Sequence, residues 1–186
     1  MTKRKRLSEM AAVEVKGVKQ LRSALRKFEP NLSKELTAEM RKELAPIARE
    51  GRGYIPSSSP MSGWNPRQFN QGKFPTFSAA TAKSGIGFKT TASKPNRRGF
   101  QSYAKLFNKS AAGAIYETAG RKNPNGVTPQ GKQFIKNMGG LYGDGKERGR
   151  ALYRAYANNR GAAKVAIVNA IKTAEHKFNT STRKAA

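Results

Sequence analysis

The acidic residues of this chain are so unevenly placed that they divide it into three parts. Seven of the eleven Asp and Glu residues lie in the first fifty positions, whereas positions 51 to 145 hold only Glu117 and Asp144 against fourteen Lys and Arg. This middle part is also rich in Gly, Pro, Ser and Asn, which interrupt regular structure. The regular elements must therefore come mainly from the two ends of the chain.

Two amphipathic helices are predicted in the first part. Apolar residues recur at helical spacing at Val18, Leu21, Leu25 and Phe28. Pro30 is well placed to open a second helix, and Pro46 should kink or shorten its last turn. The apolar stripe of this second helix consists of Leu32, Leu36, Met40, Leu44 and Ile47. Before both, the alternation from Ala12 to Lys16 predicts a short half-buried strand.

The rest of the chain predicts a hairpin between two loops, followed by one or two helices. Strand patterns at Gly85–Thr91 and Phe100–Phe107 flank a basic turn, Lys94–Gly99. The pattern at Arg148–Asn158 indicates a short helix. A stronger helix is predicted over Ala162–Phe178, with an apolar face made of Val165, Val168, Ile171 and Phe178.

These elements predict an α+β fold with two N-terminal and one or two C-terminal helices packed on a small, mostly antiparallel sheet, with long basic loops. We expect a basic arm at 1–10, one domain over 11–178 and a basic tail at 179–186. Extended loops are expected at 51–80 and 121–145. The aromatic residues of the first loop favour packing, either in the core or on another subunit, over a simple linker.

Several classes of function are disfavoured by composition. Without Cys there is no disulfide, cysteine-zinc site or thiol nucleophile, and the single His176 is interpreted as a surface residue. No stretch approaches the roughly 20 apolar residues of a membrane helix, and the basic start at Met1–Arg6 has no apolar continuation. We therefore expect a protein made in the cytoplasm and not exported, without membrane contact.

Enzymatic motifs are equally weak. Gly126–Lys132 and Gly140–Lys146 both fit G-x-x-x-x-G-K, but Gln133 and Glu147 stand where a P-loop needs a hydroxyl for magnesium. A two-metal nuclease needs clustered carboxylates, which the middle part lacks. The sequence therefore predicts no enzyme, no cofactor and no metal.

The basic residues give a stronger signal. The net charge is +26, and Lys94, Arg97, Arg98 and the arm residues Lys3, Arg4, Lys5 and Arg6 are suited to phosphate contacts. Aromatic residues such as Tyr54, Trp64 and Phe69 could stack on bases, although core or subunit packing is the favoured interpretation. No zinc-finger, RNP or helix-turn-helix signature indicates sequence-specific recognition.

Several short motifs resemble those of the neck or tail-completion proteins of long-tailed bacteriophages. The opening Val15–Leu21, Leu32–Leu36 and Ile47–Glu50 segments are similar to the family's strand and two helices. Ala114–Gly120 resembles its Tyr-Ala…Glu-x-Gly motif, with Tyr116, Glu117 and Gly120 as the matching residues. Leu152–Ala155, before the final helix, resembles its Leu-Tyr-x-Ala ending. The chain departs from the family in the insertion that begins at Pro56–Pro60 and in its longer 121–145 loop.

The resemblance implies a structural virion protein, assembled in the host cytoplasm. It would form a homo-oligomeric ring in the neck, with a hexamer favoured over a dodecamer. Its implied partners are head-completion or adaptor proteins, tail-terminator or tail-tube proteins, and the double-stranded genomic DNA leaving through the channel. The alternative is a nucleic-acid-binding protein without sequence specificity, associated with the nucleoid or the ribosome.

The amount of charge limits how much of it can serve DNA. A ring about 40 Å tall would enclose roughly 24 phosphates, whereas six copies would carry about 156 positive charges. We therefore expect one loop, with Lys94, Arg97 and Arg98, to face the channel. Docking to partner rings is expected for the arm residues Lys3, Arg4, Lys5 and Arg6 and for the aromatic residues Tyr54, Trp64 and Phe69.

Overall fold

A computed structural model describes residues 18–65, 75–91, 93–98, 101–102, 104–143 and 147–184. These residues form six helices and one two-stranded antiparallel sheet. In chain order the elements are α1 (Val18–Phe28), α2 (Pro30–Gly53), α3 (Ala79–Gly85), β1 (Ile86–Lys89), β2 (Lys105–Asn108), α4 (Ala111–Thr118), α5 (Pro129–Asn137) and α6 (Leu152–Lys184). The predicted α+β class is confirmed. The predicted arm at 1–10 and the strand at 12–16 lie outside the described residues.

The long helices α2 and α6 form the antiparallel frame of the molecule. Their direction is fixed by contacts at both ends, since Lys177 binds Glu35 at 2.8 Å and Asn158 binds Glu50 at 2.9 Å. Four of the five residues of the predicted α2 stripe are buried: Leu36, Met40, Leu44 and Ile47. The stripe therefore faces α6 and α1, as an amphipathic helix requires.

The first two helices differ from the predicted pattern in where α2 ends and in the exposure of Phe28. Helix α2 continues through Pro46 to Gly53, so the loop expected from 51 begins at 54. Pro46 has no N–H to donate to the carbonyl of Lys42. Both residues are exposed, so water can satisfy that carbonyl. Phe28 is 61% exposed at the end of α1, where the Lys27 ammonium lies 5.0 Å from its ring centroid.

The two predicted C-terminal helices are one helix of 33 residues, and the tail expected from 179 is helical to Lys184. Gly161 does not break it; a glycine inside a helix costs only about 1 kcal/mol. The predicted apolar face was also wrong at Val165, which is 60% exposed. The face that packs on α2 keeps Ile171 from the predicted set and adds Ala163 and Ala174, because alanine lets the helices approach closely.

The predicted hairpin is confirmed, with Ile86 opposite Asn108 and Lys89 opposite Lys105. Its second strand is shorter than expected and starts at Lys105 rather than at 100. Both predicted loops contain helices: α3 begins inside 51–80 and α5 lies inside 121–145. Helix α5 begins where the Thr128 hydroxyl accepts from the Gly131 N–H at 3.0 Å, with Pro129 in its first turn.

Candidate functional site

Glu117, from the family-like motif, caps the start of α6. Its buried carboxylate accepts backbone hydrogen bonds from Ala151, Leu152 and Tyr153 at 3.0, 2.9 and 2.8 Å. These N–H groups have no intrahelical acceptors at a helix start, and the positive end of the helix dipole favours a carboxylate there. A residue on α4 thus fixes the position of the longest helix.

Arg150 fixes the same junction from the opposite side. Its buried guanidinium donates to the carbonyls of Gly139, Tyr116 and Ala119 at 2.8, 2.8 and 2.9 Å. Burial lowers the pKa of Arg150, and burial also raises the pKa of Tyr116. The carboxylate of Glu117 satisfies donors at the start of α6, and Arg150 satisfies carbonyl acceptors at the end of α4.

Two glycines allow this junction to close. Gly120 has a left-handed φ of +81°, a conformation that favours glycine because it has no Cβ. A Cβ at Gly149 would overlap the Glu117 carboxylate. The matching residues Tyr116, Glu117 and Gly120 are therefore placed to build the fold, and none of the three is an exposed contact site.

A second polar cluster joins α2 to α6. Glu50 accepts from the Tyr54 hydroxyl at 2.8 Å and from the side-chain amides of Asn158 and Asn159. The hydrogen bond from Asn158, followed by those from Tyr54 and Asn159, lowers the pKa of Glu50 despite partial burial. The hydrogen bond to Glu50 raises the pKa of Tyr54.

Arg154 lies between two tyrosine rings, one of which, Tyr54, belongs to this cluster. Its guanidinium carbon is 4.1 Å from the Tyr54 ring centroid and 4.0 Å from that of Tyr142. Half-buried Tyr54, expected at a partner interface, is thus engaged within the chain. Sequence reasoning did not single out Arg150 or Arg154, and the Arg-rich run 148–154 before an apolar helix was the available signal.

The partner-docking expectation was wrong for Trp64. Its side chain is fully buried, and its indole N–H donates to the Pro75 carbonyl at 2.8 Å. The ring packs against Phe77 and Phe134 at centroid distances of 5.1 and 5.3 Å. Phe69 and the arm residues Lys3, Arg4, Lys5 and Arg6 lie outside the described residues.

The expected DNA-facing residues lie together on the connection between β1 and β2. Lys94, Arg97 and Arg98 are all exposed, and the Arg98 N–H donates to the Asn96 side chain at 2.9 Å, which shapes the turn. Between Glu50 and Glu117 the sequence contains no Asp or Glu. The hairpin therefore presents an exposed cluster of cations that no neighbouring acid in the sequence neutralises.

An apolar groove of about 390 Å³ lies between the sheet and the helices. It is lined by β2 (Leu106, Phe107, Asn108), α4 (Ala114, Glu117, Thr118) and α6 (Leu152, Tyr153, Tyr156). The groove is suited to packing rather than to catalysis. Glu117 is the one carboxyl in its lining, and that carboxylate already accepts hydrogen bonds from the start of α6.

Within the described ranges, no three His, Cys, Asp or Glu side chains are grouped closely enough to hold a metal ion. None of the described helices combines the length and the apolar character that crossing a membrane requires. Comparisons with protein-family models, with curated proteins and with solved structures found no match to this chain.

Proposed function

We propose that this protein is a structural subunit of a bacteriophage neck. It forms a ring that joins the portal and head-completion complex to the tail and surrounds the DNA exit channel. The observation that carries the proposal is the acid-free hairpin with its exposed turn of Lys94, Arg97 and Arg98. Such a surface suits DNA that moves past it, because fixed positive charges contact the phosphates without binding particular bases.

The architecture suits a passive role. The buried polar groups at the centre, Glu117 and Arg150, are occupied by backbone partners. Neither is left free for acid or base chemistry. The long α2–α6 frame holds the hairpin on a rigid support, as a subunit that positions a lumen loop requires.

Mass spectrometry of purified virions, together with electron microscopy of the isolated protein, tests this proposal. We expect the chain in virions at a copy number that matches a closed ring, with six favoured over twelve. Absence from intact particles would contradict the proposal. Gold labelling of a C-terminal tag at the head–tail joint would separate the neck from other virion positions.

The same hairpin also supports the second candidate, a nucleic-acid-binding protein without sequence specificity. That function requires stable, stoichiometric binding of free DNA or RNA at physiological salt. The neck subunit instead requires weak, salt-sensitive binding, because a channel that holds DNA tightly would impede its exit. Binding isotherms at 50 and 150 mM salt therefore distinguish the two candidates.

A further inference from the structure

The outer edge of β2 is an open strand edge. The Lys109 N–H donates to the Gly85 carbonyl at 3.0 Å, and the register places Ile86 opposite Asn108. Because bonded and non-bonded pairs alternate in an antiparallel ladder, the backbone groups of Leu106 and Asn108 point away from β1. No hydrogen bond among the described residues reaches these backbone groups.

On the opposite edge of the sheet, the backbone of Ile86 is engaged. There the outward carbonyl of Ile86 accepts two hydrogen bonds from the Arg52 guanidinium, at 3.0 and 2.8 Å. An open strand edge is a template for pairing with another segment. At the Ile86–Asn108 pair, a further strand can therefore be added only on the β2 side.

The apolar groove runs along this open edge. Leu106, Phe107 and Asn108 all line it, although consecutive strand residues point to opposite faces. Three successive residues can line one cavity when the cavity lies along the edge of the strand rather than on one of its faces. The groove therefore offers backbone groups on one wall and the apolar surfaces of α4 and α6 on the other.

We propose that residues 12–16 of a neighbouring copy of this chain pair with the outer edge of β2 and place Val13 and Val15 in the groove. The inference rests on the self-assembly that the proposed function requires. Within this segment, Val13 to Lys16 alternate apolar and polar residues, as a strand with one buried face does. Strand addition supplies backbone hydrogen bonds for affinity and pockets for alternate side chains.

Charge complementarity supports this occupant. Lys89 and Lys105 lie directly opposite each other in the hairpin, and like charges in that position destabilise a sheet. The hairpin sequence contains no acid that could relieve this repulsion. With Val13 and Val15 in the groove, Glu14 and Lys16 lie on the other face, and Glu14 is the residue of the segment that can offset the charge of Lys105.

The position of α1 favours a second copy over the same chain. Val18 packs in a cluster that contacts α6 from Ile167 onward. The groove contacts α6 only up to Tyr156, eleven residues earlier. Eleven helical residues span about 16 Å, and Lys16 lies at most about 7 Å from Val18. Val15 of the same chain lies at most about 11 Å from Val18, less than this separation of about 16 Å, which favours a second copy.

A strand passed from one copy to the next is a head-to-tail contact, which closes into a ring when the rotation allows. Disulfide cross-linking tests this directly, because the native chain has no Cys. One full-length chain carries Glu14→Cys and another carries Lys105→Cys or, for the shifted register, Lys109→Cys. A matched control places the cysteine at Lys94, which is exposed in the turn.

We expect disulfide-linked dimers in the Glu14/Lys105 or Glu14/Lys109 mixture and at least about tenfold fewer with Lys94→Cys. A chain that carries both cysteines should give a ladder of covalent oligomers ending at the size of the ring. A cross-link confined to single chains, or none, overturns the inference.

Two neutral variants give an independent measurement. Val13→Asn removes an apolar side chain from the groove and should weaken self-association roughly tenfold or more, while Ala12→Asn on the other face should leave it unchanged. Equal effects contradict the inference. If light scattering detects oligomers but no cross-links form, strand addition is refuted, whereas ring formation is not. Cross-links in a protein absent from virions support strand addition and refute the neck.

Discussion

Glu117 on α4 accepts a hydrogen bond from the backbone N–H of Leu152 at 2.9 Å, across a separation of 35 residues. Its neighbours Ala151 and Tyr153 donate to the same carboxylate. One side chain therefore does for α6 what a local Ser or Asp does for most helices. The start of the longest helix depends on a residue from a different element, which couples the folding of the two.

Glu117→Gln should destabilise the protein by about 2–3 kcal/mol, since charge-assisted hydrogen bonds at a helix start are lost. The amide nitrogen of Gln would also face a backbone donor. Urea denaturation followed by circular dichroism measures the change. Glu39→Gln is the matched control, because its exposed pair with Lys42 at 3.8 Å contributes little. Equal midpoints for both variants would show that the cap is unimportant.

Gly149→Ala should destabilise the fold by about 1–3 kcal/mol, because the added methyl would occupy the position of the Glu117 carboxylate. Gly140→Ala makes the same chemical change where no atom lies within 4 Å of the new Cβ. A thermal melt of each variant provides the comparison. The prediction is wrong if Gly149→Ala melts at or above the temperature of Gly140→Ala.

Trp64→Phe should cost about 1–3 kcal/mol of stability, because it leaves the Pro75 carbonyl without its indole donor and opens space beside Phe77 and Phe134. Trp64→Ala should cost about 3–5 kcal/mol. Chemical denaturation with a circular dichroism signal ranks the three proteins. If Trp64 served a partner surface instead, stability would stay constant and assembly would change.

Stability should fall as the pH drops below about 4.5, and Glu50 should account for part of that loss. Its pKa in the folded protein is lowered from 4.5, so its contribution is present above the unfolded value and disappears as the pH falls through the folded one. Urea midpoints between pH 3 and 6 test this. Glu50→Gln should flatten the profile, and an unchanged slope would assign the acid sensitivity to other groups.

Replacing Lys94, Arg97 and Arg98 by Gln together should weaken binding to duplex DNA and lower the slope of log K against log salt by up to about 3, if each contacts one phosphate. Fluorescence anisotropy with a 30-base-pair duplex measures this slope. The control replaces Arg160, Lys164 and Lys172, which are exposed on α6, and removes the same charge. Equal losses in both variants would indicate that net charge alone, rather than the hairpin turn, attracts DNA.

The sequence predicted those elements whose apolar stripes are long and made of large residues. The α2 stripe from Leu36 to Ile47 gave the correct helix and the correct buried face. In α6 the packed face is built partly from Ala163 and Ala174, whereas larger Val165 is exposed. Alanine is small and contributes little to an apolar stripe in the sequence. The face of α6 that packs on α2 was therefore assigned incorrectly in part.

Sequence reasoning was least successful where long-range contacts decide a side chain's role. Glu117 was singled out by a motif, but its capping role depends on N–H groups 34 to 36 residues away. Trp64 lies in a Gly- and Pro-rich stretch without periodicity, so its burial against Phe77 and Phe134 could not be read locally. The basic turn needed only local signals, and Lys94, Arg97 and Arg98 are exposed in it, whereas their contact with DNA stays a prediction.

The buried position of Glu117 has a consequence for the surface. It is the only acidic residue between positions 51 and 143, and its charge is held inside the fold by the start of α6. We therefore expect the exterior of this part to attract polyanions, since Lys and Arg are positively charged throughout the neutral range. Ionic strength and competing polyanions, rather than mild acidity, should control this binding.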